Sequence, residues 1–499
     1  MTYTSKIARG IGAIFFMSIF SNFIAYLIRI ILARNLSPYE YGLFYSVFTF
    51  VIFFLFFRDL GLGQAVIKHI PEFYIQKKYN SIKTIIISAL SFQFLSSLLL
   101  SVILFFSADF LAEHYFKAEI ASVLLKFIIL YILLSLSFTF LKDILQGFQK
   151  FKIFSMIEFL KNSITLLIIV SFILAGFKNV FVPVFANILV CPILFFILLP
   201  FVIKTFPFFK HKISDFKPIT KQMFSFGLPV LATSIGGKVI GYIDTIILTY
   251  FVSLEQVGIY NVILPSALVV LHLGSAISAV VFPTVSELWA KQDKQKISDG
   301  LKLIHKYAFV LTIPAIFAVF TFSSLFISFF FGKEYVSGAL ALQILLVGVL
   351  FYLVAGINHS ILSGIGKPQI VTKIVLFSAL LNAAGNIILI PKFGIEGAAI
   401  STSVSYLAAL FLSTNQVTKI IGLSFPKKIW LKLAISGIVF VFLVGSLKSI
   451  LNLNPWFELV ISSGIAFFAY LTLIYLMKII DIQEIKRYLL LVKQAKQTK

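Results

Sequence analysis

The feature that most constrains this chain is a recurrence, from one end to the other, of apolar runs of about 20 residues, each long enough to cross a ~30 Å hydrocarbon layer as a helix. That layer holds no water, so each spanning segment must satisfy its own backbone polar groups, and a continuous apolar run does this as an α-helix. Composition agrees: 60% of the 499 residues are apolar, 12% are charged and 58 are Phe, whereas roughly 25% of residues are charged in soluble domains. A water-soluble fold is excluded. Read between charged, Pro, Gly and Asn punctuation, the runs predict helices over 11–33, 42–63, 84–106, 121–141, 155–175, 181–203 and 224–251. Seven more follow over 257–283, 304–330, 337–361, 370–390, 396–418, 430–450 and 457–478. The expectation is an all-α integral membrane protein of about fourteen transmembrane helices.

Lys and Arg number 42 against 19 Asp and Glu, a net charge of +23. A nucleic-acid surface would gather such residues on one water-exposed face, but here they sit in short loops between apolar runs. That is the pattern of the positive-inside rule, in which basic residues hold a helix end on the cytoplasmic side. With a cytoplasmic start, only Arg34, Lys117, Lys126, Lys178, Lys333, Lys392 and Lys448 fall in external loops. One helix more or fewer would invert every later loop, so the asymmetry supports fourteen spans with both termini cytoplasmic. The stretch after Lys6 and Arg9 is too long for a signal peptide and lacks a small-residue cleavage site, so it reads as the first span. The single cysteine, Cys191, lies within an apolar run and reads as packing. External connections are short, the longest near 106–120. No phosphate loop, no His-Glu-x-x-His and no external carboxylate pair is present in the sequence. Nothing here predicts an enzyme, a metal or a cofactor.

Aligning the chain on itself at a shift of 216 sets Ile30-Ile31-Leu32 on Ile246-Ile247-Leu248, Ser37 on Ser253 and Gly42-Leu43-Phe44 on Gly258-Ile259-Tyr260. At a shift of 217, Ile144-Leu145-x-Gly147-x-x-Lys150-x-x-Ile153 falls on Ile361-Leu362-x-Gly364-x-x-Lys367-x-x-Ile370. A shift spanning six helices gives two copies of one orientation, related by an axis along the membrane normal. Such parallel repeats place the substrate near the bilayer midplane between the halves and alternate access by rocking. The expected division is residues 1–210 for helices one to six, 211–425 for seven to twelve, and 426–499 for two additional helices and a cytoplasmic tail.

The stretch Ala33-Arg34-Asn35-Leu36-Ser37-Pro38-x-x-Tyr41-Gly42-Leu43-Phe44 and the Leu60-Gly61-Leu62-Gly63 turn carry a resemblance, as do Asp244-Thr245-Ile246-Ile247 with Gly258-Ile259-Tyr260, Phe282-Pro283 with Ser286, and Pro391-Lys392-x-Gly394-Ile395-x-Gly397-Ala398-Ala399. In order and spacing they resemble the polysaccharide-exporter branch of the multidrug/oligosaccharidyl-lipid/polysaccharide superfamily, which includes O-antigen flippases and, more distantly, lipid II flippases. The resemblance implies a MATE-like fold in the cell membrane that carries an oligosaccharide on a polyprenyl phosphate or pyrophosphate from the cytoplasmic to the outer face. It also implies partner glycosyltransferases and a polymerase of the same pathway. The energy source is open between H+, Na+, membrane potential and lipid supply. A cation-coupled multidrug antiporter is the alternative within the superfamily, and a membrane polysaccharide polymerase or ligase the alternative outside it.

A charge at the bilayer centre costs at least ~2.5–3.5 kcal/mol, so one that persists normally faces a partner or a wet cavity. Arg29, Arg58 with Asp59, Lys238 and Asp244 fall within expected spans, on helices one, two and seven, which in the resembling family line the central cavity. Their net positive charge suits a diphosphate, with guanidinium forks and an ammonium to hold it. Arg29, Arg58 and Lys238 are therefore the expected substrate-binding residues. Against this, Arg29 and Arg58 could snorkel to an interface, and Arg58 could pair with Asp59. Asp244 and Asp59 read as ion-coupling groups or counter-ions. Residues 238 and 244 lie about 600° apart around a helix and do not share a face, which leaves Arg29 as a second candidate partner for Asp244. Asn382 and Asn386, one turn apart, read as interhelical hydrogen bonds or as sugar contacts. Gly236, Gly237 and Gly241 around Lys238 permit close helix approach or a bend.

Overall fold

The structure is a computed structural model that describes residues 3–422, 427–451 and 454–479, and no strand occurs among them. The helices are α1 (Tyr3–Asn35), α2 (Pro38–Asp59), α3 (Leu62–Ile75), α4 (Tyr79–Leu111), α5 (Ile120–Gly147), α6 (Phe151–Leu174), α7 (Phe181–Thr205) and α8 (Phe216–Phe251). There follow α9 (Leu254–Leu268), α10 (Leu271–Ala290), α11 (Lys294–Thr321), α12 (Ser323–Phe330), α13 (Ala339–Gly364), α14 (Pro368–Ile421), α15 (Lys427–Leu451) and α16 (Pro455–Leu476). The tail expected to be cytoplasmic, residues 480–499, lies outside the described residues.

Local chemistry sets several boundaries. Ser37 caps α2 in a reciprocal capping box with Glu40, and Pro38 occupies the first turn, where no N–H is required. Leu60 and Gly61 both take left-handed backbone (φ 50 and 73), which ends α2 and starts α3. The amphipathic α3 was not expected from the sequence. It packs on α5 and α8, and buries Leu62, Ala65, Val66 and Ile70.

Among the described residues, eleven helices are long and apolar enough to cross a membrane, or twelve when the bent α8 is counted as one span. The fourteen spans expected from sequence exceed that count by two, and the difference lies at two breaks. The 54-residue α14 is interrupted at Gly394 (φ 56, ψ −131), between the expected spans 370–390 and 396–418. The expected span 257–283 is divided between α9 and α10.

The chain separates into two compact units. One comprises Met1–Pro265, Phe330–Ala341 and Val375–Thr402; the other comprises Ser266–Phe329, Leu342–Ile374 and Ser403–Lys499. In the second unit, α15 and α16 pack against each other and on α11 through Val310, Ile313, Phe440, Val444 and Tyr470. A side chain at Gly437 would overlap the Phe317 ring, so the glycine sets how closely α15 meets α11.

Within the first unit the internal duplication has a geometric counterpart. A Cβ on Gly42 would overlap Leu254 O and lie 2.7 Å from Gly258 N. A Cβ on Gly258 would overlap Pro38 O and lie 3.0 Å from Gly42 N. Gly42 and Gly258, like Pro38 and Leu254, are related by the 216-residue shift. Repeat-equivalent residues thus meet reciprocally, as contacts across a two-fold axis must.

Candidate substrate and ion sites

All five charged residues singled out in the sequence fall in the first unit, and the structure treats them differently. Asp244, on α8, is 2% exposed. Its Oδ2 accepts from Tyr260 Oη and Thr402 Oγ1, both at 2.7 Å, and its Oδ1 accepts from Asn386 Nδ2 at 2.7 Å. Asn382 Nδ2 donates to Thr402 Oγ1 at 3.1 Å. The two asparagines therefore stand in the Asp244 network, where neutral donors from α8's neighbours compensate a buried carboxylate. Among the described residues Asp244 takes part in no ion pair. The Oδ1 atoms of Asn382 and Asn386 are buried and accept no hydrogen bond among the described residues. One carboxylate, two carboxamides and two hydroxyls thus share one hydrogen-bonded cluster.

Arg29 is half-buried on α1. Its Nη1 donates to Asn261 O at 3.0 Å, and its guanidinium lies 4.5 Å from the Tyr45 ring centroid. Asn261 Oδ1 in turn accepts from Thr245 Oγ1 at 3.3 Å, one residue from Asp244. Arg58 Nη1 donates to Ile132 O and Ser135 Oγ, both at 2.9 Å, which ties the end of α2 to α5. Asp59 Oδ1 accepts from Gln93 Nε2 at 2.5 Å and from Gly63 N at 3.0 Å, and so caps α3. A Cβ at Gly63 would lie 3.0 Å from Asp59 Oδ1 and against Asp143 Oδ2, so glycine is what lets two carboxylates approach this turn. Lys238 is exposed, its Nζ 5.9 Å from the ring centroids of both Phe56 and Tyr242, while Asp244 is buried. The two do lie on different faces of α8. Gly236 packs on the backbone of Leu376, and Gly237 and Gly241 have open space around them.

Sequence reasoning did not single out Lys161. This half-buried residue of α6 lines, with Arg29, Asn162, Thr165 and Asn187, a cavity of about 230 Å³ bounded by α1, α2, α5, α6 and α7. No carboxylate lines that cavity. Glu158, one turn earlier on α6, is paired with Lys142 at 2.5 Å and also attracts Lys161 electrostatically from outside the cavity lining. The spacing Glu158-x-x-Lys161-Asn162 puts three polar residues on one helix face, which was the available signal.

Two seams join α2 and its neighbours to α8. Toward the expected external end, Thr249 Oγ1 donates to Ser46 Oγ at 3.0 Å, Tyr115 Oη to Ile246 O at 2.7 Å and Lys117 Nζ to Tyr250 O at 3.0 Å. Toward the expected cytoplasmic end, the Gly61 and Gly227 backbones meet, and Lys68 Nζ lies 4.4 Å from the Phe226 ring centroid.

Long apolar helices, a parallel repeat and charges buried among them define a multi-pass membrane transporter. The chain belongs to the polysaccharide biosynthesis protein family, whose profile matches residues 7–289; the MatE profile matches residues 229–388. An uncharacterized membrane protein of Methanocaldococcus jannaschii is 30% identical over 97% of this chain and 98% of its own. The putative O-antigen transporter of Shigella flexneri is 27% identical over 75% of this chain and 88% of its own. A probable low-salt glycan biosynthesis flippase of Haloferax volcanii is 24% identical over 51% and 54%. Among solved structures, the lipid II flippase MurJ in an inward closed conformation superposes with a TM-score of 0.75 at 18% identity, covering 93% of this chain and 99% of that one. An inward-facing MATE family transporter superposes with a TM-score of 0.67 at 14% identity, covering 80% and 94%. These structural likenesses establish the fold.

Proposed function

We propose that the protein is a flippase that moves a polyprenyl phosphate- or pyrophosphate-linked oligosaccharide from the cytoplasmic to the outer leaflet of the cell membrane, with both termini cytoplasmic. The observation that carries the reading is a cavity lined by the cations Arg29 and Lys161 and by no carboxylate, in a chain of the polysaccharide biosynthesis family. Arg29 and Lys238 serve the lipid-linked anion, and Arg58, engaged with α5, holds the helix end that positions them. A drug/cation antiporter would need the opposite sign of charge in its cavity.

Residues 1–210 and 211–425 act as two lobes that rock about the Gly42–Gly258 contact, with 426–499 as an addition. Access alternates as the external seam (Ser46, Thr249, Tyr115) and the cytoplasmic seam (Gly61, Gly227, Lys68) part in turn. Asp244, with Asn382, Asn386 and Thr402, couples this movement to H+ or Na+, since uptake of a cation would exchange the donated bonds at its carboxylate for oxygen contacts on the ion. Glycosyltransferases of the same pathway supply the substrate.

Purified protein in liposomes tests the reading. A fluorescent polyprenyl-diphosphate oligosaccharide should become accessible on the opposite leaflet while a lipophilic organic cation stays put. Movement of the cation with the lipid immobile would overturn it.

A further inference from the structure

The cavity between α1, α2, α5, α6 and α7 has a chemistry of its own. Its two cations, Arg29 and Lys161, are donors only. No carboxylate lines it, and among the described residues neither cation takes part in an ion pair. Opposite them stand acceptors. Asn162 Nδ2 is engaged with Ser21 O and Ser21 Oγ at 3.0 Å each, and Asn187 Nδ2 with Pro183 O at 2.8 Å. With Nδ2 so engaged, each carboxamide of the lining has its Oδ1 left as an acceptor. Thr165, 5% exposed, has a buried Oγ1 without a hydrogen-bond partner among the described residues. Tyr131 and Phe48 supply flat apolar faces beside these groups.

A ligand that satisfies this lining brings an anion for the cations and hydroxyl donors for the asparagine oxygens at the same time. A bare diphosphate brings acceptors alone and would leave the asparagine oxygens unmatched. The volume of about 230 Å³ falls below the ~300–1,000 Å³ of pockets that enclose drug-sized ligands. One hydroxylated ring fits that space, and the rest of a chain of sugars would extend beyond it.

We propose that this cavity is a subsite for a single acidic sugar residue of the uronic-acid type, with Lys161 as the anchor of its carboxylate and Asn162, Asn187 and Thr165 as partners of its hydroxyls. The inference deepens the flippase reading and rests on it for its physiological meaning, because the sugar would be one unit of the lipid-linked glycan. The diphosphate is then held elsewhere along the cationic path, toward Lys238.

Saturation-transfer NMR on the detergent-solubilised full chain tests it with three probes: methyl glucuronide, methyl glucoside and inorganic pyrophosphate. The glucuronide should bind, the glucoside should bind at least about tenfold more weakly, and pyrophosphate should fail to displace the glucuronide. Lys161→Gln should weaken glucuronide binding about tenfold, and Lys161→Arg should restore most of it. Equal binding of glucuronide and glucoside by the unaltered chain would overturn the proposal, whatever the variants do. So would full displacement by pyrophosphate, which would make the cavity a phosphate site. Selective glucuronide binding in a protein that moves no glycan lipid in vesicles would sustain the subsite and sink the flippase reading instead.

Discussion

Asp244 and the Arg29–Lys161 cavity are both ionic sites enclosed by apolar helices, yet the fold bonds both carboxylate oxygens of the first and gives the lining of the second no carboxylate. Three neutral donors bond the Asp244 carboxylate at 2.7 Å. The cavity gathers two cations beside acceptor oxygens, with no carboxylate in its lining. A buried charge whose bonds are made contributes to stability when present and costs much when broken. A charge held without its counterpart is a local conflict that a fold keeps where binding requires it. The contrast teaches that burial alone does not identify a substrate site: the buried Asp244 carboxylate has protein donors on both oxygens, and the half-buried cations line a cavity that holds no carboxylate.

That contrast is open to attack. The largest effect is expected at Asp244: replacing it with Leu removes the acceptor of three donated bonds and should cost about 3 kcal/mol or more, read as a lower thermal midpoint of the purified protein and lost transport. Stability equal to the parent protein would show that the network is not what holds α8. Gly42→Val comes next, since its side chain would meet Leu254 O across the repeat axis; a loss of about 1–3 kcal/mol is expected, and an equal loss at Gly258→Val would sharpen the two-fold reading. Gly437→Leu, in the second unit, should cost about 1–2 kcal/mol by displacing Phe317 while leaving transport per folded molecule unchanged. Lys238→Ala should change stability by less than about 0.5 kcal/mol because the side chain is exposed, yet slow transport of the anionic lipid about tenfold. A stability loss at Lys238 without a transport defect would reverse the assignment of the two regions.

Much of this was legible in the sequence. Runs of about 20 apolar residues fixed the fold class, and the 216-residue shift that aligns Gly42 with Gly258 named two residues that meet in the structure. Asp244 was found because a lone carboxylate in an apolar span demands an explanation, and its neighbours Asn382 and Asn386 were found for the same reason. Their mutual bonds were not readable, since apolar runs do not say which helix faces which. Lys161 is harder to read: the Glu158-x-x-Lys161-Asn162 spacing marks a polar face on α6, but spacing does not say which helices that face meets, so the company of Arg29 is not legible. The α3 helix is not legible for another reason: its 14 residues, with Pro71 inside, are too short and polar to register as a span.

The central claim is that intramembrane cations of the first unit hold the anionic part of a lipid-linked glycan. The most direct measurement is the rate at which the Arg29→Gln/Lys161→Gln double variant moves a polyprenyl-diphosphate acidic oligosaccharide across liposome membranes, with its thermal midpoint recorded alongside. A fall of about 100-fold in rate at a midpoint equal to or above that of the unaltered protein is predicted. An unchanged rate, with both cations gone and the fold intact, would contradict the account.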